Sequence, residues 1–327
     1  MGEKIRVSVI SESQFTPAGH GVHTAFLEHV SYLTRCEGVQ LDVNRRGNQV
    51  SDVIHVHTVG PYALLLLSTT RTVRIVTAHL LPESLMGSVV GAPWLQPLAR
   101  RYFPWFYNRA DIVIAVSDHV KEALLDLGVK KPIFVLGNSI DVESVANART
   151  KRDVIRYRLG LGQKDFLVLS VGQLQPRKGI LEFLRFAEQL PSVKFVWVGG
   201  PIFGVASAGK TELYRAIDSA PANFSYTGPI SRDKVFEYLG AADVYVSMST
   251  QETFGTAVLE AAAAGLPLVL SNLPAFHNVY KDAAQFGHEG DGCEQPHSRQ
   301  DREEFRSQRY ARPPRRTPEC RRHGGFI

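Results

Sequence analysis

Two carboxylates, Glu252 and Glu260, bracket a helix start in Gln251-Glu-Thr-Phe-Gly-Thr-Ala-Val-Leu-Glu260, which continues into Ala-Ala-Ala-Ala-Gly-Leu-Pro. Ser249-Thr250 ends an expected strand, and Gly255-Thr256 opens the expected helix. The first amides of a helix have no carbonyl partner within it, so they favour an anion. Glu260 lies just over a turn further on and can accept two hydrogen bonds from a vicinal diol. Carboxylate, amide cradle, carboxylate is a layout that suits a sugar, a diphosphate and a ribose in one line. The spacing alone also fits an ordinary amphipathic helix with a capped start.

A second group of residues, Val171-Gly-Gln-Leu-Gln-Pro-Arg-Lys-Gly179, follows the apolar run Phe166-Leu-Val-Leu-Ser170 and precedes Ile180-Leu-Glu-Phe-Leu-Arg-Phe-Ala187, whose apolar residues have helical spacing. A strand, a basic glycine loop and a helix in that order bind phosphates at strand ends in α/β folds. Near the start, Ile5–Ile10 reads as a strand, Pro17-Ala-Gly-His-Gly-Val-His23 as a glycine loop and Thr24–Leu33 as a helix. Gly19 and Gly21 permit close backbone approach. Ile75-Val-Thr-Ala-His79 ends another apolar strand in a histidine. His55 and His57 share one face of the strand in Asp52-Val-Ile-His-Val-His57. No third ligand follows at a fitting spacing, so no metal site is expected.

Taken together, these segments resemble the family 4 glycosyltransferases, retaining enzymes of the two-domain GT-B fold, from about Ile5 to Asp282. The resemblance implies an α/β architecture of two Rossmann-like parallel-sheet domains facing a cleft. It places Glu252 at the donor sugar hydroxyls and Glu260 at the ribose. Lys178 matches the family's diphosphate lysine. The family's arginine is Gln173 here, a departure for which Arg177 could supply charge from another position. Gly19 and Gly21 match the first loop facing the diphosphate, and Gly255 and Thr256 the helix start. His79 matches a histidine near the reacting sugar. The expected catalytic residues are His79, Glu252 and Lys178, with a nucleotide sugar as donor, UDP-hexose ahead of GDP-hexose, and no metal cofactor. Gln-Pro-Arg-Lys-Gly, His79-Leu-Leu-Pro-Glu-Ser and Val198-Gly-Gly-Pro-Ile-Phe-Gly resemble bacterial diacylglycerol and glycolipid glycosyltransferases. The expected acceptor is therefore a membrane lipid or glycolipid, with a soluble sugar or glycan as the alternative. A nucleotide-sugar epimerase and an inactive binding remnant also fit the pattern.

The chain has 327 residues, a net charge of +5 and three cysteines in neither a disulfide nor a zinc arrangement. Length and alternation of strand and helix predict an N-terminal domain over 1–150 and a nucleotide-sugar domain over 151–286, with parallel sheets. Expected strands are Ile5–Ile10, Val53–His57, Ile75–His79, Ile112–Val116 and Ile133–Leu136, then Phe166–Val171, Lys194–Gly199, Val244–Met248 and Leu268–Ser271. Val142–Leu159 reads as a basic helix bridging the halves. Ala92–Tyr107 is rich in aromatics and carries Arg100, Arg101 and Trp105. It reads either as a helix in a lipid headgroup layer, against an anionic membrane surface, or as a core helix on the first sheet. No apolar run is long enough to span a bilayer. A cytoplasmic protein is expected, peripheral on the inner membrane face under the headgroup reading, with no nucleic-acid partner. From His288 onward there is no Leu, Val or Lys and arginine is abundant. Residues 287–327 are thus expected to be a disordered basic tail, of the kind a shifted frame or a truncation produces.

Overall fold

The computed structural model describes residues 4–15, 21–44, 51–85, 92–200, 210–280 and 282–287. Gly19, Pro201–Gly204 and the arginine-rich tail lie outside the described residues. Met1–Phe286 forms one compact unit. It contains two sheets. The first has strands β1 (Ile5–Ile10), β2 (Val39–Val43), β3 (Val53–Val56), β4 (Val73–Ala78), β5 (Ile112–Ala115) and β6 (Ile133–Val135), in the order β2-β1-β3-β4-β5-β6. The second has β7 (Leu167–Val171), β8 (Lys194–Val198), β9 (Phe224–Tyr226), β10 (Val244–Ser247), β11 (Leu268–Ser271) and β12 (Ala284–Gly287), in the order β12-β11-β10-β7-β8-β9.

The helices between them are α1 (Gly21–Thr34), α2 (Pro61–Thr69), α3 (Ala92–Tyr107), α4 (Asp118–Asp126), α5 (Val142–Ala148), α6 (Arg152–Arg158), α7 (Ile180–Gln189), α8 (Lys210–Asp218), α9 (Arg232–Ala241), α10 (Thr256–Ala263) and α11 (Pro274–Tyr280). Crossover helices cover both faces of a parallel sheet, so inner strands become continuous apolar runs. Every residue of β10 is buried, as are Leu167–Ser170 of β7. The registers are parallel, with Val7 opposite Val53 and Val168 opposite Phe195.

Nine strands appear where the sequence places them, with ends moved by a residue or two. Three others, β2, β9 and β12, escape the sequence reading, and each is an edge strand. These three carry half-exposed mixed side chains, as in Val39-Gln-Leu-Asp-Val43, and so lack the apolar signal that Ile133-Phe-Val135 keeps at the fourth edge. The single bridging helix expected over Val142–Leu159 is instead α5 and α6, separated by a 3-10 turn at Arg149–Lys151. The break lies where the chain passes Gly240 of α9. A Cβ there would sit 2.8 Å from the Ala148 carbonyl oxygen. It also lets Arg152 donate to the carbonyls of Ala241 and Ala242 at 2.7 Å, while Arg152 and Arg156 both reach the Asp243 carboxylate.

The core is organised around each sheet, and Phe254 and Leu259 cross between them. Phe254, in the loop after β10, packs in the cluster of Val76, Phe106, Val116 and Val120 that belongs to the first sheet. Leu259 of α10 packs against this cluster and against that of Leu169, Tyr245 and Phe276. Ser117 at the start of α4 donates to the Thr253 carbonyl at 2.7 Å. The Phe254→Ala variant should therefore lose about 3 kcal/mol of unfolding stability, measured by denaturant titration. An unchanged midpoint would show that the ring anchors nothing.

Candidate active site

Each sheet order reverses once, between β1 and β3 in the first sheet and between β7 and β10 in the second. Crevices outside the carboxyl ends of strands at such reversals are where open α/β sheets bind ligands. The loop after β7 and the loop after β10 meet at the second reversal. Gly179 ends the first loop with φ +74°, and a Cβ on it would lie 2.0 Å from the Met248 carbonyl oxygen, so only glycine lets the two loops touch. The Thr250 amide then donates to the Arg177 carbonyl at 2.8 Å.

That contact places Lys178 Nζ 2.5 Å from Glu252 Oε1, with both side chains largely buried. Ser249 Oγ donates to the same oxygen at 3.0 Å. Burial works to raise the Glu252 pKa, but the charges of Lys178 and Arg177 and the hydrogen bonds from Lys178 and Ser249 outweigh it, so the carboxyl titrates below its usual value. Burial pulls the Lys178 ammonium down, only partly offset by Glu252, and Arg177 adds to the depression. Arg177 Nη1 donates to the Gln251 carbonyl at 3.2 Å. Gln173 sits half-buried in the same loop, its carbonyl accepting from Gln175 N at 2.9 Å. The Gln251 amide oxygen and the Tyr280 hydroxyl are buried without a hydrogen-bond partner.

Beyond Glu252, Gly255 takes φ +80° and caps α10, with Thr256 as the first helical residue. A side chain at Gly255 would come 2.5 Å from the Phe276 ring. Asn138, in the loop leaving the first sheet, donates to Thr256 Oγ1 at 3.2 Å. Glu260 is buried on α10. Arg232, at the start of α9, donates to Glu260 Oε1 from Nε at 3.2 Å and from Nη2 at 3.0 Å, and its Nη1 pairs with Glu28 of α1. Burial raises the Glu260 pKa, and the Arg232 charge and hydrogen bonds reduce but do not cancel that rise.

His79 follows β4 and is buried. Its Nε2 lies 3.1 Å from His57 Nδ1, and His57 Nε2 lies 2.8 Å from His29 Nδ1. The structure corrects the reading that His55 and His57 lack a third partner: His29 comes from α1, too far away in sequence to show as ligand spacing. Gly21 opens α1, and nothing lies within 4 Å of where its Cβ would be. In α3, Phe103, Phe106 and Tyr107 are core residues, as the second reading of that segment has it. Leu98, Arg100, Arg101 and Trp105 are exposed. Arg100 pairs with Glu83 at 2.8 Å, and the Arg109 guanidinium lies 3.7 Å over the Trp105 ring.

Sequence reasoning missed Arg232, Glu28, Ser249 and His29. Arg232 carries a faint signal, since it stands at a helix start just after Tyr226-Thr-Gly-Pro-Ile230. The others act only through tertiary contact. An open depression lined by Arg152, Arg156 and Tyr157 lies elsewhere. Its arginines are committed to Asp243 and to backbone carbonyls.

Two parallel sheets, each with a reversal whose loops carry this chemistry, define the GT-B class of glycosyltransferase. The sequence matches the model of glycosyltransferase family 4 over residues 44–144 and that of glycosyl transferases group 1 over residues 151–290. It is 33% identical over 279 residues to alpha-galactosylglucosyldiacylglycerol synthase of Streptococcus pneumoniae, covering 84% of this chain and 74% of that protein. It is 25% identical to the processive diacylglycerol alpha-glucosyltransferase of Acholeplasma laidlawii, covering 87% of this chain and 84% of that protein. Among solved structures, the fold matches sucrose-phosphate synthase of Thermosynechococcus elongatus with a TM-score of 0.71 at 17% identity, covering 88% of this chain and 87% of that one. It matches Anabaena HepE in complex with UDP-glucose with a TM-score of 0.69 at 18% identity, covering 88% of this chain and 86% of that one. The chain belongs to glycosyltransferase family 4, and its reaction is transfer of a sugar from a nucleotide sugar.

Proposed function

We propose that this glycosyltransferase moves a hexose from UDP-hexose to a hydroxyl of a membrane lipid or glycolipid, with retention of anomeric configuration. The observation that carries the site assignment is the Lys178–Glu252 pair beside the start of α10. It brings a cation suited to the diphosphate and a carboxylate suited to the sugar to the reversal of the second sheet.

Each residue then has a task. Lys178, with Arg177 close by, neutralises the charge that develops on the departing diphosphate, and the unpaired amides at Gly255 and Thr256 do the same through oriented dipoles. These groups take the place of a metal ion, and Arg177 stands in for the family arginine replaced by Gln173. Glu252, held ionised, accepts hydrogen bonds from the sugar hydroxyls. Glu260 accepts the ribose diol. Both Arg232 bonds end on Oε1, and a ribose hydroxyl would engage Oε2. His79, oriented by His57, faces the reacting sugar from the first sheet, and Gly21 opens α1 on the same sheet. The leaving phosphate takes the acceptor proton on the same face.

The lipid acceptor is supported by the two diacylglycerol-directed relatives and by the exposed face of α3. Leu98, Arg101 and Trp105 recur at helical spacing there, apolar and cationic together, as on helices that lie in a headgroup layer. No described helix is long and apolar enough to cross a membrane. Under this reading the association is peripheral, through the exposed face of α3, at the cytoplasmic face. Each basic residue near an anionic surface contributes about 1 kcal/mol. The double variant Arg100→Glu/Arg101→Glu should weaken binding to phosphatidylglycerol vesicles at least about thirtyfold in a sedimentation assay. Unchanged binding would remove α3 from the account. Product analysis with UDP-glucose and UDP-galactose, against diacylglycerol and glucosyldiacylglycerol, tests the reaction itself. Turnover only with a water-soluble sugar acceptor would overturn the lipid assignment.

A further inference from the structure

Three histidines gather where the first sheet reverses; His57 among them also orients His79, while His29 and His55 have no task in the transfer reaction. His55 and His57 project from the end of β3, their rings stacked with centroids 4.6 Å apart. His29 of α1 stands against both, at 4.6 Å from the His55 ring and 4.9 Å from the His57 ring. One ring nitrogen of each lies within 4.8 Å of the others. We propose that His29, His55 and His57 form a binding site for a divalent transition-metal ion of the zinc type, with water completing the coordination shell.

The chemistry of the donor set selects such an ion. Three imidazoles suit zinc, cobalt or nickel and are poor ligands for magnesium or calcium, which require oxygen. A ligand imidazole must be neutral, and these are: burial holds His29 down to about 4, and burial followed by the neighbouring histidines holds His55 and His57 well below their usual value. The outer contacts that metal-bound histidines need are also in place. His57 Nδ1 is engaged by His79 Nε2 at 3.1 Å, which directs His57 Nε2 toward His29, and His55 Nε2 is anchored by Thr77 Oγ1 at 2.7 Å. Metal–nitrogen bonds of about 2.0–2.1 Å in a tetrahedral shell set the nitrogens roughly 3.3 Å apart. The His29 Nδ1 to His57 Nε2 separation of 2.8 Å must therefore open slightly. His29 is the half-buried member of the three and can turn to allow this, leaving water a path to the fourth position. A bound ion would fasten α1 to β3, and α1 carries Glu28, the partner of Arg232.

The test uses the full-length protein, freed of metal with EDTA and dialysed, then titrated with Co2+ and with Zn2+. The wild type should take up one more equivalent of Co2+ than His29→Ala. It should develop visible absorption of nitrogen-ligated tetrahedral cobalt that the variant lacks. Zn2+ should raise the wild-type Tm while leaving His29→Ala unmoved, and apparent Zn2+ affinity should fall at least about tenfold in the variant. Because His29 is only partly buried, the variant is expected to keep the wild-type far-UV spectrum, and His29→Gln serves as a second probe if it does not. Measuring the difference between proteins subtracts ions held by other histidines and cysteines of the chain. Equal stoichiometry, equal spectra and equal Tm shifts in wild type and both variants would overturn the proposal. The three rings would then be held by the His29–His57 hydrogen bond, the bonds to Thr77 and His79, and ring packing.

Discussion

Replacing Lys178 by alanine should lower kcat/KM for the nucleotide sugar by at least about a hundredfold, because preorganised charge at a leaving group is the largest single contribution a site of this kind makes. The fall should appear mainly in kcat, since the charge on the diphosphate grows as the glycosidic bond breaks. Lys178→Arg should recover part of the activity, though a planar guanidinium cannot reproduce the 2.5 Å contact with Glu252. The same substitution has a second signature. In the wild type, Lys178 and Arg177 hold the buried Glu252 carboxyl below its ordinary pKa. Ionised Glu252 thus adds stability above the unfolded carboxyl pKa, and that stability is lost as pH falls through the lower folded value. Without Lys178 the burial effect is no longer offset to the same extent, and the folded pKa moves up. The stability gap between wild type and Lys178→Ala should then widen as pH rises from about 4 to 7. Denaturant midpoints across that range measure it. A gap independent of pH would mean that the pair is not coupled as its geometry implies, and unaltered donor kinetics would remove Lys178 from the site.

Glu260→Ala should cost a comparable factor for a different reason. Two hydrogen bonds to an ionised carboxylate contribute roughly 1.5–3 kcal/mol each, so their joint loss corresponds to at least about a hundredfold in kcat/KM. Here the loss should fall on donor affinity, because the ribose does not change on the way to the transition state. UDP should bind correspondingly less well by isothermal titration. Arg232 makes this variant more than a simple deletion. Its guanidinium bridges Glu260 and Glu28, so removing Glu260 leaves a cation paired to Glu28 alone, close to the nucleotide. Arg232→Gln separates the two effects. It should leave the carboxylate in place but raise its pKa further, by loss of the charge that now restrains the rise caused by burial. Donor affinity in Arg232→Gln should therefore weaken as pH is lowered toward the acid range. Wild-type UDP affinity in Glu260→Ala would contradict the ribose assignment.

Much of this arrangement can be read from the chain before any coordinates. Buried parallel strands such as Leu167–Val171 and Val244–Ser247 announce themselves as apolar runs, because both faces of each are covered. Three of the four edge strands do not: Val39–Val43, Phe224–Tyr226 and Ala284–Gly287 are short and mixed in side-chain character, while the apolar run Ile133–Val135 at the fourth edge does show. Residues tied to a strand end by short spacing, such as Lys178 after β7 and Glu252 after β10, were legible from local order. What was not legible is whatever depends on two distant segments meeting. The bond from Ser117 to the Thr253 carbonyl, the insertion of Phe254 into the first sheet's core and the Arg232–Glu28 pair all join residues more than a hundred positions apart. The break between α5 and α6 was hidden in the same way. It packs closely against Gly240, on a helix that the sequence of the break does not mention.

The central claim is that a nucleotide diphosphosugar lies along the loops after β7 and β10, with its diphosphate at Lys178 and the start of α10 and its ribose at Glu260. A crystal structure with UDP-hexose bound tests this most directly. The account predicts diphosphate oxygens within hydrogen-bond distance of Lys178 Nζ and the Gly255 or Thr256 amides, the ribose diol on the Glu260 carboxylate and the sugar hydroxyls at Glu252. A donor bound with its diphosphate away from Lys178, or its ribose away from Glu260, would contradict it.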